Sequence, residues 1–329
     1  MKVISGREEF NIAQATAVTI GKFDGLHRGH LKLIDTLKKA AADKYKTVLF
    51  TFDNVPVESM CDELRFKQDD ALHENVLSKH INDAGKKLLS SRERAEFAEK
   101  LGLDYLIVYP FTEKTRHINA EDFIKNVIVD RLHAKYIVVG SDFKFGYKRQ
   151  GTPKLLESLS DKYGYTLIVE DKVRNAAGEE ISSTLVRSLV SQGDMEETAR
   201  CLGRYYSISG RIIHGNHQGT GFGIPTINQK PDAGKLLPPN GVYVSQVVLG
   251  GRCYGGITNI GCKPTVGKND IGIETFLYDF EGDIYGEEAV TRLLKFVRPE
   301  RKFASVEELI AQIKRDEEYG REYLSRLEM

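Results

Sequence analysis

The periodicity of the chain changes near residue 187, and this change constrains the fold more than any other feature. Before it, continuous apolar runs alternate with amphipathic segments. The apolar runs are Ala17–Ile20, Thr47–Phe52, Tyr105–Tyr109, Tyr136–Gly140 and Thr166–Val169. Strands that are apolar on both faces and are joined by helices predict a parallel, doubly wound α/β sheet of the Rossmann-like kind.

After residue 187, short β runs separated by glycine-rich turns replace that pattern. These runs are Ser207–His214, Val242–Leu249, Cys253–Ile260, Ile273–Asp279 and Ala289–Phe296. These five runs predict a compact antiparallel β-barrel, and we expect a sixth strand to complete it. A closing helix follows, because Ser305 and Glu308 stand at capping-box spacing before an apolar stripe. We expect a sheet domain over 1–187, a partly helical linker over 188–204 and a barrel domain over 205–329.

Charge and cysteine usage exclude several classes of partner. The 329 residues carry a formal net charge of zero, so nothing draws the chain electrostatically to nucleic acid or to a membrane. Four scattered cysteines without a C-x-x-C pair suit a reducing cytoplasm. We therefore expect a cytoplasmic monomer or weak homo-oligomer with small-molecule substrates.

The segment Gly21–His30 joins the first apolar run to the first amphipathic segment. A helix N-terminus after a glycine-rich turn suits phosphate, because its N–H groups are unpaired and the helix dipole is positive there. His27 and His30 could donate hydrogen bonds to phosphoryl oxygens as charge develops. Packing or capping histidines are the simpler alternative. We predict a nucleoside triphosphate site with contacts from Gly21, Phe23, Asp24, Gly25 and Gly29.

Two further segments of the first half are also predicted to bind ligand. The turn resembles that of the HxGH nucleotidyltransferase superfamily, in which a segment of the type S-S-T-x-x-R closes the ATP site. Here that segment supplies Ser182, Ser183, Thr184 and Arg187. The loop after Gly140 offers two rings and two charged groups for a flat, polar-edged ligand. These four residues are Asp142, Phe143, Phe145 and Arg149.

The barrel half has its own glycine-rich loop. It predicts phosphate contacts at Gly219, Gly221, Gly223 and Pro225. Thr226 and Asn228 are two residues apart, so an extended backbone turns both side chains the same way, where they could ligate Mg²⁺ held mainly by phosphates. A glycine-rich turn beside a polar strand edge is the alternative. Glu274 is a carboxylate on an otherwise apolar strand, which makes it a candidate base for a substrate hydroxyl.

Taken in order, these motifs resemble the bacterial bifunctional riboflavin kinase/FAD synthetase family over nearly the whole chain. The matching segments are GKFDGLHRGH, VGSDFKFG, ISSTLVR, GFGIPTIN, NGVY, NIGCKPT, IETFLYDF and DIYGE. The resemblance implies that the barrel phosphorylates riboflavin to FMN, with Glu274 as base and with Thr226 and Asn228 holding Mg²⁺. It also implies that the sheet module adenylylates FMN to FAD, with ATP as co-substrate and with His27 and His30 stabilising the transition state.

The chain departs from the family pattern at several positions. Asp53–Pro56 replaces a segment that usually carries a histidine, and an insertion or flap over 54–87 follows it. Thr220 stands where arginine is frequent, and Lys22 replaces an asparagine. These changes leave three alternatives open: a kinase with a degenerate or narrowed transferase module, a non-catalytic flavin-binding regulator, and an adenylyltransferase alone.

Overall fold

The computed structural model describes residues 1–53, 85–213, 226–232, 234–265, 268–282 and 284–327. The chain divides into two compact units, Met1–Ser182 and Ser183–Met329. Most of the predicted insertion lies outside the described residues, as do the glycines of the barrel loop. Within the described ranges, no helix is long and apolar enough to cross a bilayer.

The first unit is built on a six-stranded sheet in the order β1-β4-β3-β2-β5-β6. Every pairing in it is parallel, which confirms the doubly wound prediction. Its strands are β1 (Lys2–Ser5), β2 (Thr16–Ile20), β3 (Lys46–Asp53), β4 (Tyr105–Pro110), β5 (Ala134–Gly140) and β6 (Thr166–Glu170). Because β3 and β5 flank β2 on opposite sides, the carboxyl ends of β2 and β5 form the switch point where such sheets bind ligands.

The helices of this unit cover both faces of the sheet. They are α1 (Arg28–Ala41), α2 (Ser91–Lys100), α3 (Glu113–Arg116), α4 (Ala120–Phe123) and α5 (Pro153–Tyr163). Helix α2 begins with a capping box, which the spacing of Ser90 and Glu93 predicts. Ser90 Oγ accepts a hydrogen bond from the Glu93 amide at 3.1 Å, and the Glu93 carboxylate accepts one from the Ser90 amide at 2.8 Å. The apolar spacing over residues 119–131 predicts a single helix. The structure instead has α4 followed by a π-helical segment, Ile124–Val129.

The second unit is a closed antiparallel barrel of six strands in the order β10-β11-β8-β7-β12-β9, as predicted. These strands are β7 (Tyr206–Ile213), β8 (Thr226–Gln229), β9 (Gly241–Leu249), β10 (Arg252–Thr265), β11 (Lys268–Leu277) and β12 (Glu288–Arg298). Two helices precede the barrel, α6 (Ser183–Gln192) and α7 (Met195–Leu202), and one follows it, α8 (Val306–Ser325).

Helix α8 closes one side of the barrel. Tyr323 and Leu324 pack against a cluster that contains Val244 and Tyr278. Gly320 permits this contact, because a Cβ there would lie 2.3 Å from the Tyr278 hydroxyl. The N-terminus of α8 differs in detail from the predicted capping box. Ser305 Oγ accepts a hydrogen bond from the Glu308 amide, as in a capping box. The Glu308 carboxylate, however, accepts a hydrogen bond from the amide of Ala304 and not from that of Ser305.

Candidate active sites

The turn after β2 is held by buried apolar anchors in an unusual backbone conformation. Phe23 and Leu26 have φ of 48° and 44°, and both side chains are fully buried. Thr51 on β3 donates its hydroxyl hydrogen to the Lys22 carbonyl at 2.9 Å. Left-handed conformations at bulky residues cost about 1–3 kcal/mol and persist only where packing enforces them. Phe23 therefore shapes the turn from within the core.

The two histidines stack on each other at the start of α1. The ring centroids of His27 and His30 lie 3.7 Å apart with an interplanar angle of 22°. His27 occupies the N-cap position without a side-chain cap hydrogen bond, and the first turn of α1 contains no acidic residue. The positive end of the helix dipole is thus not offset by a carboxylate within that turn. This geometry fits an anionic ligand at the switch point.

Asp24 and Gly29 have clear local roles. Asp24 Oδ1 accepts a hydrogen bond from the amide of Leu88 at 2.9 Å, which connects the turn to the residues that precede α2. A Cβ on Gly29 would lie 3.1 Å from the His27 ring and 3.6 Å from the Ile181 carbonyl. The missing side chain at Gly29 therefore leaves room for the His27 ring, whereas the distance to Ile181 is an ordinary van der Waals contact.

The loop after β5 lies on the other side of the switch point. Phe143 and Phe145 stack with centroids 5.3 Å apart, and Phe145 is buried in the sheet core. Gly151 exchanges two backbone hydrogen bonds with Phe145, and a Cβ on Gly151 would lie 2.6 Å from the Phe145 ring. Phe145 anchors the loop, while Phe143 is partly exposed and Asp142 and Arg149 are exposed.

Lys172 links this loop to the strand-like turn that follows β6, and sequence reasoning missed it. Its ammonium lies 3.1 Å from Asp142 and 2.6 Å from Glu180. The hydrogen bond from Lys172 lowers the pKa of Glu180 and raises that of Lys172. The sequence does not indicate this role, because Lys172 stands in a charged run and its partners are 30 residues upstream and 8 residues downstream.

The other residues that the sequence predicts to contact phosphate belong to both units of the chain. Ser182 ends the first unit, whereas Ser183, Thr184 and Arg187 open α6 of the second. The Ile181 amide donates to the Val173 carbonyl at 2.9 Å, which fixes the approach to Ser182. The barrel-loop positions Gly219, Gly221, Gly223 and Pro225 lie outside the described residues, as does Thr220.

The barrel brings together the three residues that the sequence singled out there. Thr226 Oγ1 donates a hydrogen bond of 2.5 Å to Glu274 Oε1. Asn228 stands directly opposite Glu274 in the β8–β11 pairing. Opposed residues of an antiparallel pair share a face, so all three side chains lie on one face of the barrel wall. Across the described ranges, no cluster of three or more His, Cys, Asp or Glu side chains could hold a metal ion.

A histidine turn at the switch point of a parallel sheet, together with a hydroxyl–carboxylate pair on a barrel, defines a two-module enzyme of phosphate transfer. The FAD synthetase family matches residues 9–185, and the riboflavin kinase family matches residues 202–324. The chain belongs to the bifunctional riboflavin kinase/FMN adenylyltransferase family.

Relatives that carry both modules match along their whole length. The bifunctional riboflavin kinase/FMN adenylyltransferase of Listeria monocytogenes is 33% identical over 94% of this chain and 93% of its own. That of Escherichia coli K12 is 32% identical over 98% of each chain. A solved structure from Streptococcus pneumoniae, described as a macrolide-efflux protein, is 28% identical, covers 97% of this chain and 98% of its own, and has a TM-score of 0.81.

Proposed function

We propose that Glu274 is the base of the riboflavin kinase reaction and that Thr226 and Asn228 place the phosphates. The observation that carries this assignment is the 2.5 Å hydrogen bond between Thr226 and Glu274. Glu274 accepts the proton of the ribityl 5′-hydroxyl as its oxygen bonds to the γ-phosphorus of ATP. ADP leaves with the electrons of the broken P–O bond, and FMN is formed.

The same residues fit a magnesium ion. A hydroxyl that donates its hydrogen to a carboxylate keeps its oxygen lone pairs for a cation, and the Asn228 amide adds a second neutral oxygen. Mg²⁺ in such sites takes few protein ligands and more from phosphates and water. When bound, the ion offsets the charge of the triphosphate.

In the sheet module, a phosphate oxygen of FMN attacks the α-phosphorus of ATP, and pyrophosphate departs. The α1 N-terminus with Gly21, Gly25 and Gly29 holds the triphosphate, and His27 and His30 donate to the oxygens on which charge develops. The family resemblance assigns further phosphate contacts to Ser182, Ser183, Thr184 and Arg187. Asp142, Phe143 and Arg149 seat the flavin, with Phe145 supporting them from the core. Phe23 and Asp24 shape the nucleotide turn.

Product analysis of two variants tests both assignments. Glu274→Gln should lower FMN formation from riboflavin about 100-fold or more and leave FAD formation from FMN intact. His30→Ala should do the reverse by a similar factor. Glu288→Gln on the barrel surface and His117→Ala on the sheet unit are the matched controls. If Glu274→Gln retains full kinase activity, Glu274 is not the base.

The reaction with wild-type protein tests the altered Asp53–Pro56 segment. Incubation with FMN, ATP and Mg²⁺ should yield FAD and pyrophosphate. FMN from riboflavin, with no FAD from FMN, would instead identify a kinase whose sheet module has lost its transfer activity. The scattered cysteines and zero net charge support a cytoplasmic enzyme, monomeric or weakly self-associating, without nucleic-acid or membrane partners.

A further inference from the structure

Strand β8 carries the proposed magnesium ligands. Its described residues, Thr226–Gln229, pair with β11 at four positions and with β7 at Gln229 and Asn228. Side-chain contacts between β8 and its neighbours add to these backbone pairings and help to set the positions of Asn228 and Thr226.

Gln229 makes those contacts from the inner face of the barrel. Its side chain is only 2% exposed. Its amide nitrogen donates to the Gly210 carbonyl at 3.2 Å and to the Ala289 carbonyl at 2.9 Å. Its amide oxygen accepts the hydroxyl hydrogen of Thr291. One side chain thus ties β8 to β7 and, across β7, to β12.

A close backbone approach supports the same anchor. A Cβ on Gly210 would lie 2.5 Å from the carbonyl oxygen of Lys230, the residue that follows β8. The absence of a side chain at Gly210 allows the end of β8 to lie against β7. Because alternate residues of a strand face opposite sides, fixing Gln229 inward also fixes Asn228 outward, opposite Glu274.

We propose that Gln229 is a positioning residue of the kinase site: through Thr291, Gly210 and Ala289 it holds β8 so that Thr226 and Asn228 present their oxygens to magnesium-bound ATP. This inference rests on the proposed roles of Thr226 and Asn228. It predicts a specific kinetic defect on loss of the anchor. The KM for MgATP should rise, whereas the KM for riboflavin should change little.

The test compares variants of the full chain with MgATP as the varied substrate. Gln229→Leu keeps the side-chain size, removes all three hydrogen bonds, and should raise the KM for MgATP about tenfold. Thr291→Val removes one hydrogen bond and should give a smaller increase, and Thr291→Ser should restore the wild-type value. Ser245→Ala is the control, since this buried hydroxyl bonds Thr258 on β10 and no group on β8. The kcat for riboflavin phosphorylation and a thermal unfolding curve report whether the barrel of each variant is folded.

The outcomes separate the inference from the proposed function. If Gln229→Leu and Thr291→Val lower thermal stability but leave both KM values at wild type, Gln229 serves the fold alone and the inference is wrong. If Gln229→Leu does not fold, the split between Thr291→Val and Thr291→Ser decides the question. Thr226→Ala and Asn228→Ala test the ligand assignment itself, because unchanged use of MgATP by both would reject those roles whatever Gln229 does.

Discussion

At the residue scale, the missing Cβ atom of one glycine helps to set the position of the two histidines in the sheet module. Gly29 lies between His27 and His30, and its missing Cβ leaves room for the His27 ring. A contact of 3.1 Å is tighter than carbon normally tolerates, so one methyl group must push that ring by a few tenths of an ångström. Small displacements of catalytic groups are costly because transition-state contacts are short.

Gly29→Ala should therefore lower FAD formation from FMN by about tenfold to a hundredfold. FMN formation from riboflavin should stay at the wild-type rate, because Glu274 and Thr226 lie in the other unit. The measurement is the initial rate of each half-reaction. Gly85→Ala is the control, since no atom of the described residues lies within 4 Å of a Cβ there. Equal rates for Gly29→Ala and Gly85→Ala would show that the His27 position does not limit the reaction.

The sequence was most informative where a residue was chemically out of place. Glu274 stood out as a carboxylate on an apolar strand, and in the structure it accepts a hydrogen bond from Thr226. Aromatic residues were harder to interpret, because the residue type alone does not distinguish a ring that stacks on a ligand from a ring that packs in the core. Phe145 is 5% exposed and Phe23 is fully buried, and only tertiary packing could reveal this.

At the element scale, a lysine joins two loops that the chain order keeps apart. Lys172 contacts Asp142 after β5 and Glu180 in the turn after β6. The pairing of Arg174 with Glu180 and that of Val173 with Ile181 continue this turn toward Ser182. A group that holds the loop after β5 against the turn that leads into Ser182 should affect ligand placement more than stability, because partly exposed ion pairs contribute at most about 1 kcal/mol.

Lys172→Met should raise the KM for FMN or ATP in FAD formation about fivefold, with a change in unfolding free energy below about 1 kcal/mol. The kinase reaction of the same protein should be unaffected. Lys162→Met, which removes the exposed pair with Glu121, provides the comparison. A Lys172→Met protein that loses stability without any change in KM would contradict a positioning role.

The elements that escaped prediction have physical causes. Strand β1 has only two apolar residues, Val3 and Ile4, and Val3 is largely exposed, so no buried pattern marked it. The helix predicted over Asn119–Arg131 widens to a π-helical segment whose buried face, including Ile124 and Val127, keeps helix-like spacing. Periodicity detects a buried face but does not distinguish an α-helical from a π-helical backbone.

At the scale of the whole molecule, each unit has its own core and its own proposed reacting residues. The product of the kinase reaction is the substrate of the transferase reaction, and we predict that FMN passes through solution between the two sites. Two proteins that each lack one activity should therefore complement each other in solution. Neither should need a partner of its own type for the activity that it retains.

An equimolar mixture of the Glu274→Gln and His30→Ala proteins should convert riboflavin and ATP to FAD after a lag during which FMN accumulates. Each protein alone should form little FAD from riboflavin. Chromatography of timed samples measures both flavins. A mixture that accumulates FMN but forms no FAD, although Glu274→Gln converts added FMN, would show that FMN made by the kinase stays bound to it.

The closure of the barrel has one more consequence. Each of its six strands has a neighbour on both sides, so the described part of this unit offers no free row of backbone donors and acceptors. The parallel sheet is open and ends at β1 and β6, where Val3 and Val169 are both exposed. Open edges are where foreign strands add and where aggregation starts. Among the described residues, it is therefore the first unit, and not the barrel, that carries the free edges of a sheet.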